Sequence, residues 1–137
     1  MQLVERGQLD LNENIQTYLD FALPPTYPQP ITLHHLMAHT AGFEDVKYGQ
    51  MAANAAELTP LGRWLKQNIP ARVAPPGKYS AYGNYSTALA GYIVARVWGQ
   101  DYDDYVDQHI LQPLHMTQTT SRQPAPASFQ AHLSPCY

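Results

Sequence analysis

Residues 74–99, A-P-P-G-K-Y-S-A-Y-G-N-Y-S-T-A-L-A-G-Y-I-V-A-R-V-W-G, constrain the fold more than any other stretch. Pro75, Pro76 and Gly77 break regular structure, and from Tyr85 onward apolar side chains recur at Tyr85, Ala88, Leu89, Tyr92, Ile93 and Val97. That spacing puts them on one face of a helix that must be buried against other elements. Asn84 is a favoured N-cap type and Gly99 suits the left-handed residue past the end, so a helix over residues 85–98 is predicted. Tyr82, Gly83 and Asn84 then lie where an irregular loop feeds the helix. One reading displays a phenol and a carboxamide together as a site. The other makes Asn84 a cap, Gly83 a turn residue and Tyr82 an amphipathic aromatic near the core. The residues alone leave both open.

The rest of the chain reads as short helices and turns. Residues 1–7 resemble the last turns of a helix that stops at Gly7, too short to stand by itself. Leu9, Leu11, Ile15, Tyr18 and Leu19 are anchors of a turn and short helix, and Pro24, Pro25, Pro28 and Pro30 enforce an extended connection. Thr32 is expected to cap a helix containing Leu33, Leu36 and Met37 that ends near Gly42. Residues 44–56 fit a surface loop or a weak helix. Thr59 and Pro60 are expected to cap and open a helix carrying Leu61, Trp64, Leu65 and Ile69. Asp101 is expected to cap another with Tyr102, Tyr105, Val106, His109 and Ile110 on its apolar face. After Thr120 periodicity is lost, so residues 1–120 are read as one unit and 121–137 as an irregular tail or the start of a further segment.

A chain of 137 residues with 45% apolar and aromatic content can build one ordinary core. A net charge of −3 with 14% charged residues supplies no basic stripe, so nucleic acid is not an expected partner. No run is apolar for long enough to cross a bilayer, and residues 1–6 lack the pattern of a secretory signal. Cys136 is the lone cysteine and cannot form an internal disulfide.

Metal chemistry finds little support. Asp10, Asn12 and Asn14 imitate the opening of a calcium loop, but Ile15 stands where the sharp-turn glycine belongs. His35 and His39 are four apart, as zinc ligands on a helix can be, yet Leu36 replaces the metalloprotease glutamate and no third ligand is evident. No metal and no cofactor are expected. Ser80, Ser86, Ser121, Ser128 and Ser134 all lack a lysine three residues on, and Ser86 lacks the glycines of a hydrolase elbow.

Three blocks in order carry a family resemblance. P-P-G-K-Y-S-A-Y-G-N with the helix after it resembles the Tyr-x-Asn region of the serine β-lactamase and penicillin-binding-protein-like family, especially class C β-lactamases and their esterase and D-alanyl-D-alanine peptidase relatives. I-T-L-H-H-L-M-A-H-T-A-G-F, residues 31–43, is similar to that family's I-T-[IL]-x-H-L-L-x-H-T-S-G-[LF] segment, and residues 3–19 to its L-V-E-x-G-x-L-D-L-D-x-x-[IV]-x-x-Y-L segment. A fourth run, I-L-Q-P-L-H-M, has His115 where the family usually has glycine.

The resemblance implies a mainly α chain that forms the helical portion of an α/β two-region, DD-peptidase-like fold. It implies Tyr82 as the general acid/base and Asn84 as the substrate-binding amide in acyl transfer to a serine, with a small-molecule or peptide-like acyl substrate. The two are expected to face a common hollow beside the helix stub at residues 1–7, because the family's Ser-x-x-Lys lies a few helical turns upstream of that stub. A free phenol has a pKa of about 10, and lowering it by three units takes roughly 4 kcal/mol, a task lysines normally perform there. Lys78 is close in sequence but reads as a solvated loop charge. Lys47-Tyr48-Gly49 looks like the family's third motif but precedes Tyr-x-Asn instead of following it. With Ser-x-x-Lys and that third motif absent, the expectation is an internal fragment, inactive alone. A non-catalytic helical binding module or pseudoenzyme is the alternative, and an aggregating truncated product is a third. The family is often exported, but nothing in these residues fixes a compartment.

Overall fold

A fifteen-residue helix and the short elements that lean on it account for most of the architecture. The computed structural model describes residues 1–45, 52 and 54–130. In chain order these form α1 (Gln2–Glu5), a 3-10 turn (Ile15–Tyr18), α2 (Leu33–Met37), a second 3-10 turn (Ala55–Glu57), α3 (Leu61–Gln67), α4 (Asn84–Trp98), α5 (Tyr102–Val106) running into a π-turn (Asp107–Leu111), and α6 (Ala127–Gln130). Apart from α4, every helix is too short to be stable by itself. The first 3-10 turn, α2, α3 and α5 all pack on α4.

The core follows the periodicity. Leu89 and Ile93 are fully buried and Tyr85 nearly so, against Leu36 of α2, Leu65 of α3 and Ile15 of the first 3-10 turn. Each fully buried aliphatic side chain stabilises the fold by roughly 1.5–3 kcal/mol relative to exposure. Tyr85 is buried as a ring but satisfied as a phenol, donating to the Leu65 carbonyl at 3.1 Å.

Several helix ends differ from expectation. Gly83, in extended conformation, occupies the N-cap of α4 with no side-chain cap, and Asn84 is already the first helical residue. At the other end Gly99 is left-handed (φ 81°) as predicted. α3 starts one residue late, with Pro60 in the cap position and no help from Thr59. Thr32 caps α2 as expected, with an unexpected partner: His35 Nδ1 takes the place usually filled by Glu or Gln and accepts the Thr32 N–H at 3.2 Å. Asp101 caps α5 by accepting from Asp103 N–H.

The π-turn after α5 changes which side chain faces inward. Gln112 N–H reaches back five residues to Asp107 O at 2.9 Å, and Met116 N–H to Leu111 O at 2.8 Å. The extra residue per turn carries Leu111 into the core and leaves Ile110 38% exposed, the reverse of what a continuous 3.6-residue repeat predicts. His115 keeps a left-handed backbone (φ 53°) without being glycine.

Among the described residues β-structure amounts to two antiparallel bridges, Asn14 with Thr32 and Phe43 with Arg72. The second is flanked by hydrogen bonds from Val73 N–H to Gly42 O and from Glu44 N–H to Ala71 O, both 2.9 Å. Residues 121–130 are more ordered than the composition suggests. Arg122 bridges Asp104 at 2.6 Å and Asp107 at 2.7 Å, and α6 follows. Residues 44–56 fall largely outside the described residues.

Candidate functional site at the N-terminus of α4

The N-terminal end of α4 is positioned by two loops tied to each other through the backbone. Gly77 N–H donates to Thr40 O and Ala81 N–H to His39 O, both at 2.8 Å, so residues 77–81 run against the turn that ends α2. Gly42 makes the tie possible. Its φ is +79°, and a Cβ built there would lie 2.0 Å from the Ala74 carbonyl oxygen, so no other residue fits. The result is a hydrogen-bonded ledge from which Tyr82 and Asn84 project.

The structure brings that pair together. Tyr82 Oη donates to Asn84 Oδ1 at 2.9 Å. Both side chains are on the surface, and Tyr82 is 67% exposed. The carboxamide therefore meets its neighbour's phenol instead of capping its own helix, which is why the N-cap falls to Gly83.

The other half of the expected arrangement is corrected. α1 is not beside the pair: Gln2 Nε2 donates to His109 O at 3.1 Å, Tyr105 Oη donates to Gln2 Oε1 at 2.8 Å, and Arg6 lies over the Trp98 ring. These contacts put α1 against the C-terminal end of α4 and α5. A fifteen-residue helix separates that end from Asn84 by about 20 Å.

His39, noted in the sequence for its zinc-like spacing from His35, makes a contact with Tyr82 that sequence reasoning did not anticipate. Its ring packs on Tyr82 with centroids 4.7 Å apart and planes at 46°. Its backbone is left-handed (φ 54°), so it has left the helical course of α2 and cannot pair with His35 as i, i+4 zinc ligands do. Among the described residues its buried Nδ1 has no hydrogen-bond partner. Left-handed backbone at a non-glycine costs on the order of 1–2 kcal/mol and an unpaired buried nitrogen about 1–3 kcal/mol, while an aromatic pair contributes about 0.5–1.5 kcal/mol. The only sequence signal was its place just before Thr40-Ala41-Gly42, since histidine is enriched among left-handed residues.

The remaining candidates lie apart from the pair. His35 Nδ1 is an acceptor in the α2 cap, and burial, then the neighbouring His34 and Arg72, hold the imidazole below its ordinary pKa. Lys78 is exposed, with Nζ 5.1 Å from the Tyr79 ring. Ser86 is buried within α4. Asp10 accepts from Asn12 N–H and Asn14 caps the first 3-10 turn. No cluster of three His, Cys, Asp or Glu suited to a metal occurs among the described residues, and no helix there is long and apolar enough to cross a membrane. Lys47 and Cys136 lie outside the described residues. A groove of about 750 Å³ lined by Asp20, Gly62, Lys66 and Tyr92, among others, includes neither Tyr82 nor Asn84.

With this geometry in view, the comparisons agree on one family. The family model described as Beta-lactamase matches residues 1–135, and the chain belongs to that family. PbpX of Bacillus subtilis (strain 168), which bears a penicillin-binding-protein name, is 31% identical over 134 residues, covering 93% of this chain and 32% of its own length. Monacolin J acid methylbutanoyltransferase of Aspergillus terreus is 29% identical over 140 residues, covering 88% of this chain and 34% of its own. Among solved structures, a β-lactamase/D-alanine carboxypeptidase from Yersinia pestis superposes with a TM-score of 0.75 at 26% identity over 96% of this chain and 38% of that one. The chain thus spans about a third of the length of the curated relatives it matches.

Proposed function

We propose that this chain is the helical portion of a two-region, β-lactamase-like serine hydrolase and contributes Tyr82 as general acid/base and Asn84 as the substrate-binding amide. The observation that carries the reading is the 2.9 Å hydrogen bond between the two side chains, on an exposed ledge at the start of the best-packed helix. A phenol held there can pass a proton to or from a serine or a leaving group. Its hydrogen bond goes to a neutral amide, so this pair itself contains no charged group.

The nucleophile belongs, on this reading, to sequence that the matched third does not include. A serine a few helical turns ahead of α1 would have about 20 Å to cover back along α4, a distance that three to four turns of helix span. The substrate is an acyl compound: a β-lactam, a D-amino-acid peptide or an ester. Fold does not choose among them.

Two measurements test this. The isolated chain, given a chromogenic cephalosporin or a p-nitrophenyl ester, shows no turnover above its Tyr82→Phe variant, and robust turnover lost in that variant overturns the fragment reading. In a chimera with residues 1–130 replacing the matching region of the Yersinia relative, Tyr82→Phe lowers kcat by about a thousandfold or more. A folded, active chimera indifferent to that change removes Tyr82 from the chemistry.

A further inference from the structure

We infer that His39 is a positioning residue for Tyr82: its imidazole face fixes the direction of the phenol, so that the hydroxyl meets Asn84 and not bulk water. The word catalytic for Tyr82 rests on the reading above, but the positioning does not.

Tyr82 is largely exposed and sits in a stretch without regular structure, between the Pro75-Pro76-Gly77 turn and α4. A tyrosine so placed would sample several rotamers, and a bond to an exposed amide is too weak to hold it. Among the described residues two contacts restrict it. One is the hydrogen bond to Asn84, and the other is the His39 ring at 4.7 Å. Of these two, the second comes from outside the loop and helix to which Tyr82 belongs.

His39 is itself held where it can do this. Its carbonyl accepts from Ala81 N–H, the peptide just before Tyr82, so the backbone of one residue is tied to the neighbour of the other. The left-handed backbone turns the ring out of α2 and onto the phenol. Among the described residues its buried Nδ1 meets no hydrogen-bond partner, so the ring contact with Tyr82 is the interaction seen for this side chain there. Strain and an unmet polar atom at one residue, beside a candidate acid/base, are the features expected where position matters more than stability.

The test uses this chain with 13C-labelled tyrosine and follows the Tyr82 ring signals by NMR, assigned through their loss in Tyr82→Phe. The wild-type ring signals are displaced from the free-tyrosine position by the neighbouring imidazole. His39→Asn, which tolerates the left-handed backbone but has no ring, is expected to lose that displacement while its Tm stays the same or rises. His39→Phe restores a displaced, single-environment signal, although it lacks both nitrogens. Activity is not needed for any of these readings, so a failed assay for hydrolysis leaves them standing. An unchanged Tyr82 signal in His39→Asn overturns the inference, as does failure of a folded His39→Phe to restore it. His39→Gly serves as the second ring-less variant, and unfolding of both it and His39→Asn would also overturn the inference, by making His39 a residue of the fold.

Discussion

The two ends of α4 are built on opposite terms. From Tyr85 to Ile93 the helix is held by apolar side chains from α2, α3 and the first 3-10 turn, and past Val97 a left-handed glycine ends it while Trp98 packs on Tyr105 and His109. The start has no side-chain cap, its two polar residues bond to each other in solvent, and the loops around it contain left-handed backbone at Gly42, Gly77 and His39. Hydrophobic burial is non-directional and accepts many side chains of similar size, whereas a displayed phenol needs backbone ties that fix its direction. One stretch of sequence therefore supplies the core and another, directly before it, displays Tyr82 and Asn84 at the surface.

Two substitutions press on this contrast most heavily. Gly42→Ala places a methyl 2.0 Å from the Ala74 carbonyl at positive φ, where only backbone could move, so destabilisation of about 4 kcal/mol or more is expected in urea titration. Under mild conditions the damage should centre on the Tyr82 ledge. Leu89→Ala empties a fully buried position in mid-helix and is expected to cost about 3 kcal/mol, spread over the whole cooperative transition. If Gly42→Ala melts no earlier than wild type, the backbone ties do not hold the ledge.

The same contrast decides what the sequence disclosed. The periodicity of Tyr85, Leu89 and Ile93, the Gly99 stop, and the Thr32 and Asp101 caps were legible because each depends on near neighbours. The inward turn of Leu111 was not, since a π-turn leaves no compositional mark and shifts every later position by one. The Tyr82 and Asn84 pair was legible as a motif of a resembled family. Its geometry was not, because Asn84 satisfied the rule for an N-cap and the structure uses its oxygen elsewhere. The position of α1 was misjudged for a different reason: local patterns give a helix's face but not the end of its neighbour against which it lies. The contact of His39 with Tyr82 was not legible, because it depends on a backbone turn and spans 43 positions in sequence.

Smaller effects sharpen the comparison through pH. Burial raises the pKa of the Tyr85 phenol well above that of an unfolded tyrosine. The folded state then keeps a proton that the unfolded state loses, so the stability contributed is intact below about pH 10 and declines as pH rises beyond it. Tyr85→Phe should flatten the alkaline decline and cost about 1 kcal/mol at neutral pH, where the Leu65 carbonyl loses its donor. The sign is opposite for His35, whose folded pKa is lowered. Its contribution is complete above the unfolded value of about 6.5 and is lost as pH falls through the folded one, because a protonated Nδ1 cannot accept the Thr32 N–H. With the ring partly in solvent, about 0.5 kcal/mol is at stake. Equilibrium denaturation from pH 7 to 5 should show a shallower slope in His35→Gln, and an unchanged slope would remove the histidine from the cap.

The least destabilising change is the most informative about the site. Tyr82→Phe removes a hydroxyl whose hydrogen bond is exposed to water, and both partners can be solvated once it is gone. The expected change in unfolding free energy is within about 0.5 kcal/mol, and the ring contact with His39 survives because only the oxygen is lost. Tyr82→Ala removes the ring as well and still should cost little, since most of that ring faces solvent. A residue that organises the core cannot behave this way: Tyr85, three positions further on and inside α4, pairs its ring with Phe43 and Trp64 and is expected to cost about 3 kcal/mol or more as alanine. If Tyr82→Ala approached that figure by thermal or urea denaturation, the phenol would be a packing residue and the start of α4 would obey the same terms as the rest of the helix.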